Sequence, residues 1–442
     1  MKTENLIIGF GKAGKTLAAE LGKAGQKTVL VEKSDKMYGG TCINIACIPT
    51  KFLREQASKG VSLREAVSSK NDFVSKLRDK NFEKIAKTKN VKVINATASF
   101  IDEHTVEIED STGKKSKITA EKIFINTGTV PNIPPIEGVD LPGVHDSTSI
   151  MEIKSLPKNL MIIGGGFIGL EFATIFADFG TKVTVLDASE KFLEREDNDV
   201  AETMKDILTK QNIKILKKAE VKKIEKTGKT LSVKFSQNGK NSTLKTDTIL
   251  VATGRKPHLK NLKTKNAGIK LTEKGFVKVN TKLQTNKKHI WALGDINGGP
   301  QFTYISLDDF RIVKNQILGG DYTSTQKRKN FATAVFTNPP MAHIGKKEKD
   351  LEKPENYIIS KIQASAIPKA GILGQTDGFL KAIINKKTKK IEGCTLFCAE
   401  SHEMINTVKT VMDAGLPYTT LKNQVFSHPS MSEALNDLFN AE

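Results

Sequence analysis

Short apolar runs that lead into glycine-rich turns recur along this chain. Residues 6–8 (LII) form such a run, and residues 9–14 (GFGKAG) follow it. Apolar positions at helical spacing come next, and a second apolar run at residues 28–31 ends on Glu32. Strands buried in a parallel sheet are continuously apolar, whereas the apolar positions of a helix follow its turns. The pattern therefore predicts a strand, a tight turn, a helix and a second strand that ends on an acid.

The same order of elements returns further along the chain. An apolar run at residues 159–163 leads into residues 164–169 (GGGFIG), and a run at residues 182–186 ends on Asp187. In such a G-x-G-x-x-G turn the glycines let the backbone approach a pyrophosphate, and the terminal acid accepts a hydrogen bond from a ribose hydroxyl. Two copies in this context predict two dinucleotide-binding units. The turn glycines are Gly9, Gly11, Gly14, Gly164, Gly166 and Gly169.

The rest of the pattern completes the fold prediction. Related runs at residues 122–128 and 248–254 close the two units, and a helical stretch at about residues 54–87 accounts for the greater length of the first. Asn238-Gly239 between strand-like runs predicts a hairpin. From residue 331 onward, strand-like runs followed by helix-like runs indicate an α+β domain. We therefore expect an α/β fold with two Rossmann-like nucleotide-binding domains and a C-terminal α+β domain.

Composition narrows the class of protein. Of the 442 residues, 38% are hydrophobic, which argues against a disordered chain. Because no apolar run is long enough to span a bilayer and no secretory signal is recognisable, we expect no membrane association and a cytoplasmic location. The net charge of +20 raises the alternative of a protein that binds anionic polymers. The lysine clusters at residues 217–229 and 386–390 lack interleaved aromatic residues, so we expect solvated surface and no nucleic acid.

The strongest chemical signal is residues 39–51 (GGTCINIACIPTK), which contain Cys42 and Cys47. Five residues along an ideal helix rise about 7.5 Å. A disulfide requires Cα atoms roughly 4.4–6.8 Å apart, so a bridge between these cysteines needs a distorted helical turn. Two structural thiols are one alternative. A zinc site is another, but no second cysteine or histidine pair lies nearby at ligand spacing, and we expect no metal site.

This segment resembles the redox-active signature of the flavoprotein disulfide reductases, the class I pyridine nucleotide-disulfide oxidoreductases. Glutathione reductase, dihydrolipoamide dehydrogenase and mercuric reductase are members, and the resemblance covers essentially the whole chain. Residues 294–295 (GD) and residues 428–433 (HPSMSE) resemble two further family motifs. One departure is Ala46, where the family usually has glycine, which raises the question of whether the local backbone accommodates a Cβ.

The resemblance implies a role for each matching residue. Cys42 attacks the substrate, and Cys47, nearer the flavin, forms the charge-transfer thiolate. His428, oriented by Glu433, exchanges the proton with Cys42 of the partner subunit, which implies a homodimer. Glu171 pairs with Lys51, and Phe167 gates the flavin. The residues implied to bind FAD are Gly9, Gly11, Gly14, Glu32, Thr41, Gly128, Gly294, Asp295 and Thr303; those implied to bind NAD(P)H are Gly164, Gly166, Phe167, Gly169, Asp187 and Gly254.

The resemblance also implies a domain order and a cofactor. Residues 1–146 form the FAD-binding domain, 147–258 the NAD(P)H-binding domain, 259–330 a central segment that completes the FAD domain, and 331–442 the dimerisation domain. A carboxylate at Asp187 accepts from the 2′-hydroxyl of NADH and repels the 2′-phosphate of NADPH. We therefore expect NADH to be preferred, although Lys191 and Arg195 are close in sequence and positively charged.

The sequence constrains the identity of the substrate less than it constrains the cofactors. The second redox pair that mercuric reductase and large thioredoxin reductases carry near the C-terminus has no counterpart here. Cys394 and Cys398 would lie roughly 13 Å apart along one strand, so we expect them to be core thiols. Residues 36–38, 301–309, 401–405 and 412–417 resemble the bacterial reactive-chlorine-resistance reductases, also described as hypothiocyanous acid reductases and Cu(II) reductases.

This subgroup predicts a small oxidant as substrate, with hypothiocyanous acid first, in defence against oxidative stress. A disulfide of the glutathione or dihydrolipoamide type and a metal ion, Cu(II) or Hg(II), are the alternative substrates. A redox sensor that does not turn over and the basic binder are the alternatives outside catalysis. His402, within one of the subgroup segments, is either a metal contact or a structural histidine.

Overall fold

The computed structural model describes residues 1–440. The α-helices of this part of the chain are α1 (Lys12–Lys23), α2 (Thr41–Asn44), α3 (Cys47–Ser58), α4 (Leu63–Ala86), α5 (Phe167–Asp178), α6 (Asn198–Lys210), α7 (Thr303–Leu318), α8 (Pro368–Leu373), α9 (Ser401–Asp413), α10 (Thr419–Lys422) and α11 (Ala434–Leu438).

The strands of the same part of the chain are β1 (Lys2–Ile8), β2 (Thr28–Glu32), β3 (Val91–Asn95), β4 (Thr97–Phe100), β5 (Thr105–Glu109), β6 (Lys115–Ile125), β7 (Thr129–Pro131), β8 (Val144–Asp146), β9 (Asn159–Ile163), β10 (Lys182–Leu186), β11 (Ile213–Leu216), β12 (Ala219–Thr227), β13 (Thr230–Gln237), β14 (Lys240–Thr246), β15 (Thr248–Val251), β16 (Arg255–Pro257), β17 (Ile290–Ala292), β18 (Thr333–Val335), β19 (Met341–Gly345), β20 (Tyr357–Gln363), β21 (Phe379–Asn385) and β22 (Ile391–Phe397).

The chain divides into two compact units. The first contains residues 1–132, 147–155 and 254–328. Its main sheet has the order β3-β2-β1-β6-β5-β4. A further strand, β17, lies outside this order and pairs with β6. Strands β3, β2, β1, β6 and β17 run parallel, whereas β4, β5 and β6 form an antiparallel meander. Residues of the central segment therefore complete the sheet that β1 begins.

The second unit contains residues 133–146, 156–253 and the chain from residue 329 onward. One of its sheets is parallel, in the order β11-β10-β9-β15-β8. Strands β12, β13 and β14 form an antiparallel sheet. The turn between β13 and β14 has φ values of 51° at Asn238 and 79° at Gly239, both left-handed. This is the conformation that Asn-Gly favours in a two-residue hairpin, and the predicted hairpin is confirmed.

A third sheet of the second unit is built from the C-terminal residues. Its antiparallel order is β18-β19-β22-β21-β20, and helices α9 and α11 pack on it. The core beneath these helices includes Cys394 and Cys398, which are 1% and 0% exposed. The prediction that both are core thiols is confirmed, as is the fold class of two Rossmann-like units with a C-terminal α+β domain.

One predicted element differs in the structure. The single helical stretch expected at about residues 54–87 is two helices, because α3 ends at Ser58 and α4 begins at Leu63. Gly60 lies between them with φ +71°, and the Ser62 side chain accepts a hydrogen bond from the Glu65 amide as the N-cap of α4. Among residues 1–440, no helix is both long and apolar enough to cross a bilayer.

Candidate active site

The glycine turn of the first unit is closed by an asparagine that the sequence analysis overlooked. Gly9 has φ +105°, and a Cβ at this position would lie 2.4 Å from the Asn126 carbonyl oxygen. The Asn126 side chain accepts a hydrogen bond from the Gly14 amide at 2.9 Å and donates one to the Leu293 carbonyl at 2.6 Å. Asn126 therefore fixes the turn against β17. In the sequence, Asn126 stands directly before Thr127-Gly128, at the end of the run that closes the first unit, and this position could have identified it.

The surroundings of this turn fit an FAD. The Gly9–Gly14 turn ends at the N-terminus of α1, which favours a pyrophosphate. Glu32, at the end of β2, is 9% exposed and accepts a hydrogen bond from the Phe10 amide at 2.9 Å. Burial raises the pKa of its carboxyl, although backbone amides oppose the shift. The Thr127 hydroxyl is buried and lacks a hydrogen-bond partner among the described residues. Such an orphaned hydroxyl is the feature that a bound cofactor would satisfy.

Asp295 is held in place by a threonine that is itself fixed by an arginine. The Thr129 hydroxyl donates to Asp295 Oδ2 at 3.1 Å, and Arg255 donates to the same threonine hydroxyl at 2.8 Å. Burial raises the pKa of Asp295, while the bond from Thr129 and the charge of Arg255 oppose that shift. The Gly294 amide donates to Asp309 at 2.8 Å. The sequence therefore indicated Gly294 and Asp295 but not the residues that hold them.

Cys42 and Cys47 lie on either side of a break between two helices. Thr41 and Cys42 begin α2, Cys47 begins α3, and Ala46 lies between them with φ −143°. Because φ is negative at Ala46, this residue is not in the left-handed conformation that favours glycine. The distorted helical turn that a Cys42–Cys47 bridge needs is therefore present.

The two cysteines are thiols in the structure and contact each other. The Cys42 thiol donates a hydrogen bond to Cys47; this bond, and after it burial, raises the pKa of Cys42. Cys47 Sγ lies 3.7 Å from the hydroxyl of Thr303, the first residue of α7. The hydrogen bond to Cys47 and burial therefore both favour the protonated form of Cys42 in the reduced pair.

The glycine turn of the second unit repeats the geometry of the first. Gly164 has φ +115°, and a Cβ there would lie 2.6 Å from the Ala252 carbonyl oxygen. Around Gly166, by contrast, nothing lies within 4 Å of such an atom, so the start of α5 is open to a ligand. Asp187 follows β10, is 7% exposed, and accepts a hydrogen bond from the Ser189 amide at 3.1 Å. The acid therefore lies beside the turn, as the fingerprint predicts.

Helix α5 carries two further predicted residues. Phe167 is its first residue and is 39% exposed. Glu171, one turn later, accepts a hydrogen bond from the Phe336 amide at 2.9 Å. Lys51 lies in the first unit, where its amine donates to Thr50 at 3.4 Å. The Lys51–Glu171 pair stays a prediction.

His428 and Glu433 form a hydrogen-bonded pair near the C-terminus. His428 Nδ1 lies 2.7 Å from Glu433 Oε2, and the other carboxylate oxygen accepts from the Ser430 amide at 3.1 Å. The bond to His428, then the amide of Ser430, lowers the pKa of Glu433. The histidine side chain is 71% exposed. A carboxylate on Nδ1 fixes the tautomer in which Nε2 is the free base.

The structure thus gathers the predicted residues into local groups. Within the first unit, Gly128 lies with Thr41, and Thr303 with Cys47. Gly254, predicted to bind the nicotinamide cofactor, packs with the first unit, where its carbonyl accepts from the Asn132 amide at 2.9 Å. Within the second unit, the Gly164–Gly169 turn lies with Asp187.

The remaining predictions concern metal and charge. Among residues 1–440, no three His, Cys, Asp or Glu side chains cluster as a metal site would require. Several lysines of the 217–229 cluster pair with acids: Lys218 with Glu190, Lys222 with Glu220, and Lys223 with Glu137 and Glu225. This pairing is typical of solvated surface.

Comparisons with known proteins match the whole described chain. Residues 3–309 match the family model described as pyridine nucleotide-disulphide oxidoreductase, and residues 331–439 match its dimerisation domain. The chain is 47% identical over 440 residues to the probable pyridine nucleotide-disulfide oxidoreductase RclA of Escherichia coli, covering 99% of each chain. It is 31% identical to a mercuric reductase of Staphylococcus aureus, covering 97% of this chain and 80% of the other.

A solved structure is similar over the same length. It is described as the Cu(II) complex of the HOCl-induced flavoprotein disulfide reductase RclA from Escherichia coli. The TM-score is 0.96 at 46% sequence identity, with 99% of each chain covered.

Proposed function

The chain belongs to the pyridine nucleotide-disulphide oxidoreductase family, and we propose that within this family it reduces hypothiocyanous acid or a related small chlorine or sulfenyl oxidant. The family depends on FAD and NAD(P)H, so the protein is an NAD(P)H-dependent oxidoreductase. The observation that carries the proposal is the direct contact of Cys42 with Cys47 at a broken helical turn. The similarity to an HOCl-induced reductase supports the oxidant class.

The first unit would hold FAD through residues already described. The Gly9–Gly14 turn would face the pyrophosphate, Glu32 would accept a hydrogen bond from the ribose, and Asp295 would accept one from the ribityl chain. When bound, FAD supplies the two-electron exchange between the nicotinamide and the cysteine pair. In the second unit, the Gly164–Gly169 turn and Asp187 would bind the nicotinamide cofactor, and the buried carboxylate supports a preference for NADH.

The chemistry at the thiols balances in two steps. The Cys42 thiolate attacks the sulfur of hypothiocyanous acid, an S–S bond forms, the S–O bond breaks, and hydroxide leaves and takes up a proton. The Cys47 thiolate then attacks Cys42, the disulfide forms, and thiocyanate leaves. The two thiols lose two electrons and the oxidant gains them. His428 takes the proton from Cys42, because a free Nε2 beside a fixed Nδ1 is suited to that transfer.

We propose a homodimer in which His428 serves the partner's Cys42. The match of residues 331–439 to a dimerisation domain supports this arrangement. Because turnover consumes NADH, we place the protein in the cytoplasm.

Cu(II) is a second candidate substrate. The similar structure of the E. coli reductase is a Cu(II) complex, and soft thiolates bind the Cu(I) that reduction would produce.

The experiment that tests the mechanism is an anaerobic titration of the flavin-loaded protein with NADH. A long-wavelength charge-transfer band should appear and be lost in Cys47→Ser. Its absence from the wild type would overturn the mechanism.

Turnover is then compared among hypothiocyanous acid, glutathione disulfide, dihydrolipoamide, Hg(II) and Cu(II). The proposal expects the largest kcat/KM with hypothiocyanous acid. A larger value for a disulfide would favour the glutathione or dihydrolipoamide type. Reduction of the cysteine pair without turnover of any of these compounds would favour a redox sensor.

A further inference from the structure

A lysine is buried in the first turn of α1. Lys15 directly follows Gly14 and is 7% exposed. Its amine donates a hydrogen bond to the side chain of Asn81 in α4, and Asn81 in turn donates to the Leu77 carbonyl at 2.7 Å. Among the contacts of residues 1–440, Lys15 makes no ion pair with a carboxylate. Burying an ammonium against a neutral amide is unfavourable for folding.

The same face of α4 also holds the helix that carries Cys42. Arg78 Nε, one turn before Asn81, donates to Asn44 at 2.9 Å, and Asn44 belongs to α2. Gly40, which precedes α2, packs directly on α1: a Cβ there would lie 2.7 Å from the Cα of Gly11. Helix α4 therefore contacts both the Lys15 side chain and the helix that carries Cys42, and the residue before that helix packs against the start of α1.

The charges around Lys15 are unusual for a protein interior. Lys12 lies one turn earlier on the same helix, Lys84 lies on α4 one turn after Asn81, and Cys42 on α2 interacts electrostatically with the Lys15 amine. Burial, and then the two lysines, lower the pKa of Lys15 to about 8, whereas Cys42 acts in the opposite direction. Lys15 is thus mainly charged at neutral pH. On Cys42 the charge of Lys15 lowers the thiol pKa, against the stronger raising by Cys47 and burial.

We propose that Lys15 is a positioning residue for the exchange thiol, whose buried ammonium favours the thiolate of Cys42 as it attacks the oxidant. The identity of the oxidant in this proposal rests on the proposed function, whereas the effect of Lys15 on Cys42 does not. The charge is the reason for a lysine here, since an apolar side chain of the same length would fill the space without the cost of burying an ammonium. The first step above forms an anion from Cys42, and a fixed cation beside it stabilises that anion.

The test is the pH profile of Cys42 alkylation in the flavin-loaded, NADH-reduced protein. Iodoacetamide reacts with thiolate, and the modified residue is identified by peptide mass. In Lys15→Met the midpoint should move up by about one pH unit, so that alkylation at pH 7 is about tenfold slower. Lys15→Arg should stay within a few-fold of the wild type. The control is Lys23→Met, at the exposed end of the same helix, where Lys23 pairs with Glu20 at 2.9 Å.

One measurement separates this effect from a structural one. The flavin absorbance spectrum of oxidised Lys15→Met should be unchanged, because in the disulfide form Cys42 has no proton to lose. If Lys15→Met fails to fold, Lys15→Gln removes the charge with a polar side chain, and Asn81→Ala releases the amine from α4; each should shift the profile in the same direction. An unshifted profile in any of these variants that folds would overturn the proposal. Failure of the wild type to reduce hypothiocyanous acid would instead overturn the proposed substrate and leave the alkylation result standing.

Discussion

The Nδ1 atom of His428 lies 2.7 Å from a carboxylate oxygen of Glu433, and the same carboxylate accepts the Ser430 amide with its other oxygen. The glutamate is therefore fixed by the backbone before it orients the imidazole. The hydrogen bond to His428 lowers the pKa of Glu433, so the carboxylate stays ionised at pH values below its usual titration range. An ionised acceptor on Nδ1 holds the histidine in one tautomer across neutral pH.

Replacing His428 should separate the two halves of the reaction. In His428→Gln the oxidation of the reduced cysteine pair should slow by about 10²–10⁴-fold, because a positioned acid–base group is lost. Reduction by NADH should proceed at the wild-type rate, since it does not use this histidine. Stopped-flow measurement of each half-reaction checks this, with Glu433→Gln expected to show a smaller loss of the same kind. Equal slowing of both halves would contradict the assignment.

Asp187 should control the choice between the two nicotinamide cofactors. In Asp187→Ser the ratio of kcat/KM for NADPH to that for NADH should rise by about tenfold or more, because a buried carboxylate no longer repels the 2′-phosphate. Steady-state kinetics with both cofactors measure this ratio. Lys191→Ala is the control for the nearby positive charge. A wild type that uses NADPH as efficiently as NADH would refute the predicted preference.

Thr129 should contribute to flavin binding through Asp295. In Thr129→Val the hydrogen bond to Asp295 is lost. The pKa of Asp295 should then rise further, because burial raises this pKa and the bond from Thr129 no longer lowers it. A hydrogen bond to a charged group contributes about 1.5–3 kcal/mol, so the Kd of FAD should rise by at least about tenfold. Flavin fluorescence on dialysis measures the Kd. An unchanged Kd would show that Asp295 does not hold the flavin.

Lys381 should be a major determinant of the stability of the second unit. Its side chain is 2% exposed and pairs with Asp197 at 2.8 Å, Asp199 at 2.9 Å and Glu348 at 3.0 Å. In Lys381→Met the free energy of unfolding should fall by about 3–5 kcal/mol, because the buried carboxylate of Asp197 loses its cation. The control is Lys361→Met, whose more exposed amine pairs with Asp199 and should contribute about 1 kcal/mol or less. Chemical denaturation measures both.

The same cluster gives a pH dependence of stability. Burial would raise the pKa values of Asp197 and Asp199, but their bonds to lysines dominate and lower both. In the folded protein the pKa values of Asp197 and Asp199 lie below the unfolded value of about 4. The stabilisation that these two carboxylates contribute is therefore present above about pH 4 and is lost as the pH falls through the lowered pKa values. The acid-side loss of Tm should be smaller in Lys381→Met than in the wild type. Parallel curves would contradict this linkage.

The sequence alone determined the local chemistry of this protein. The strand–glycine–helix–acid order specifies a nucleotide-binding unit because each residue acts on its neighbours through backbone geometry. Cys42 and Cys47 are likewise only five residues apart in the chain, and the segment that contains them resembles the redox-active signature of the family. His428 and Glu433 follow the same rule. All of these are short-range relationships.

Only the tertiary structure showed which distant residues hold those motifs in place. Asn126 closes the turn of Gly14, 112 residues earlier, and Thr129 holds Asp295, 166 residues later. Lys15 looks like an ordinary helical lysine in the sequence, and its burial depends on α4 packing over it. Burial and long-range hydrogen bonds depend on how elements pack, and no local pattern encodes that packing.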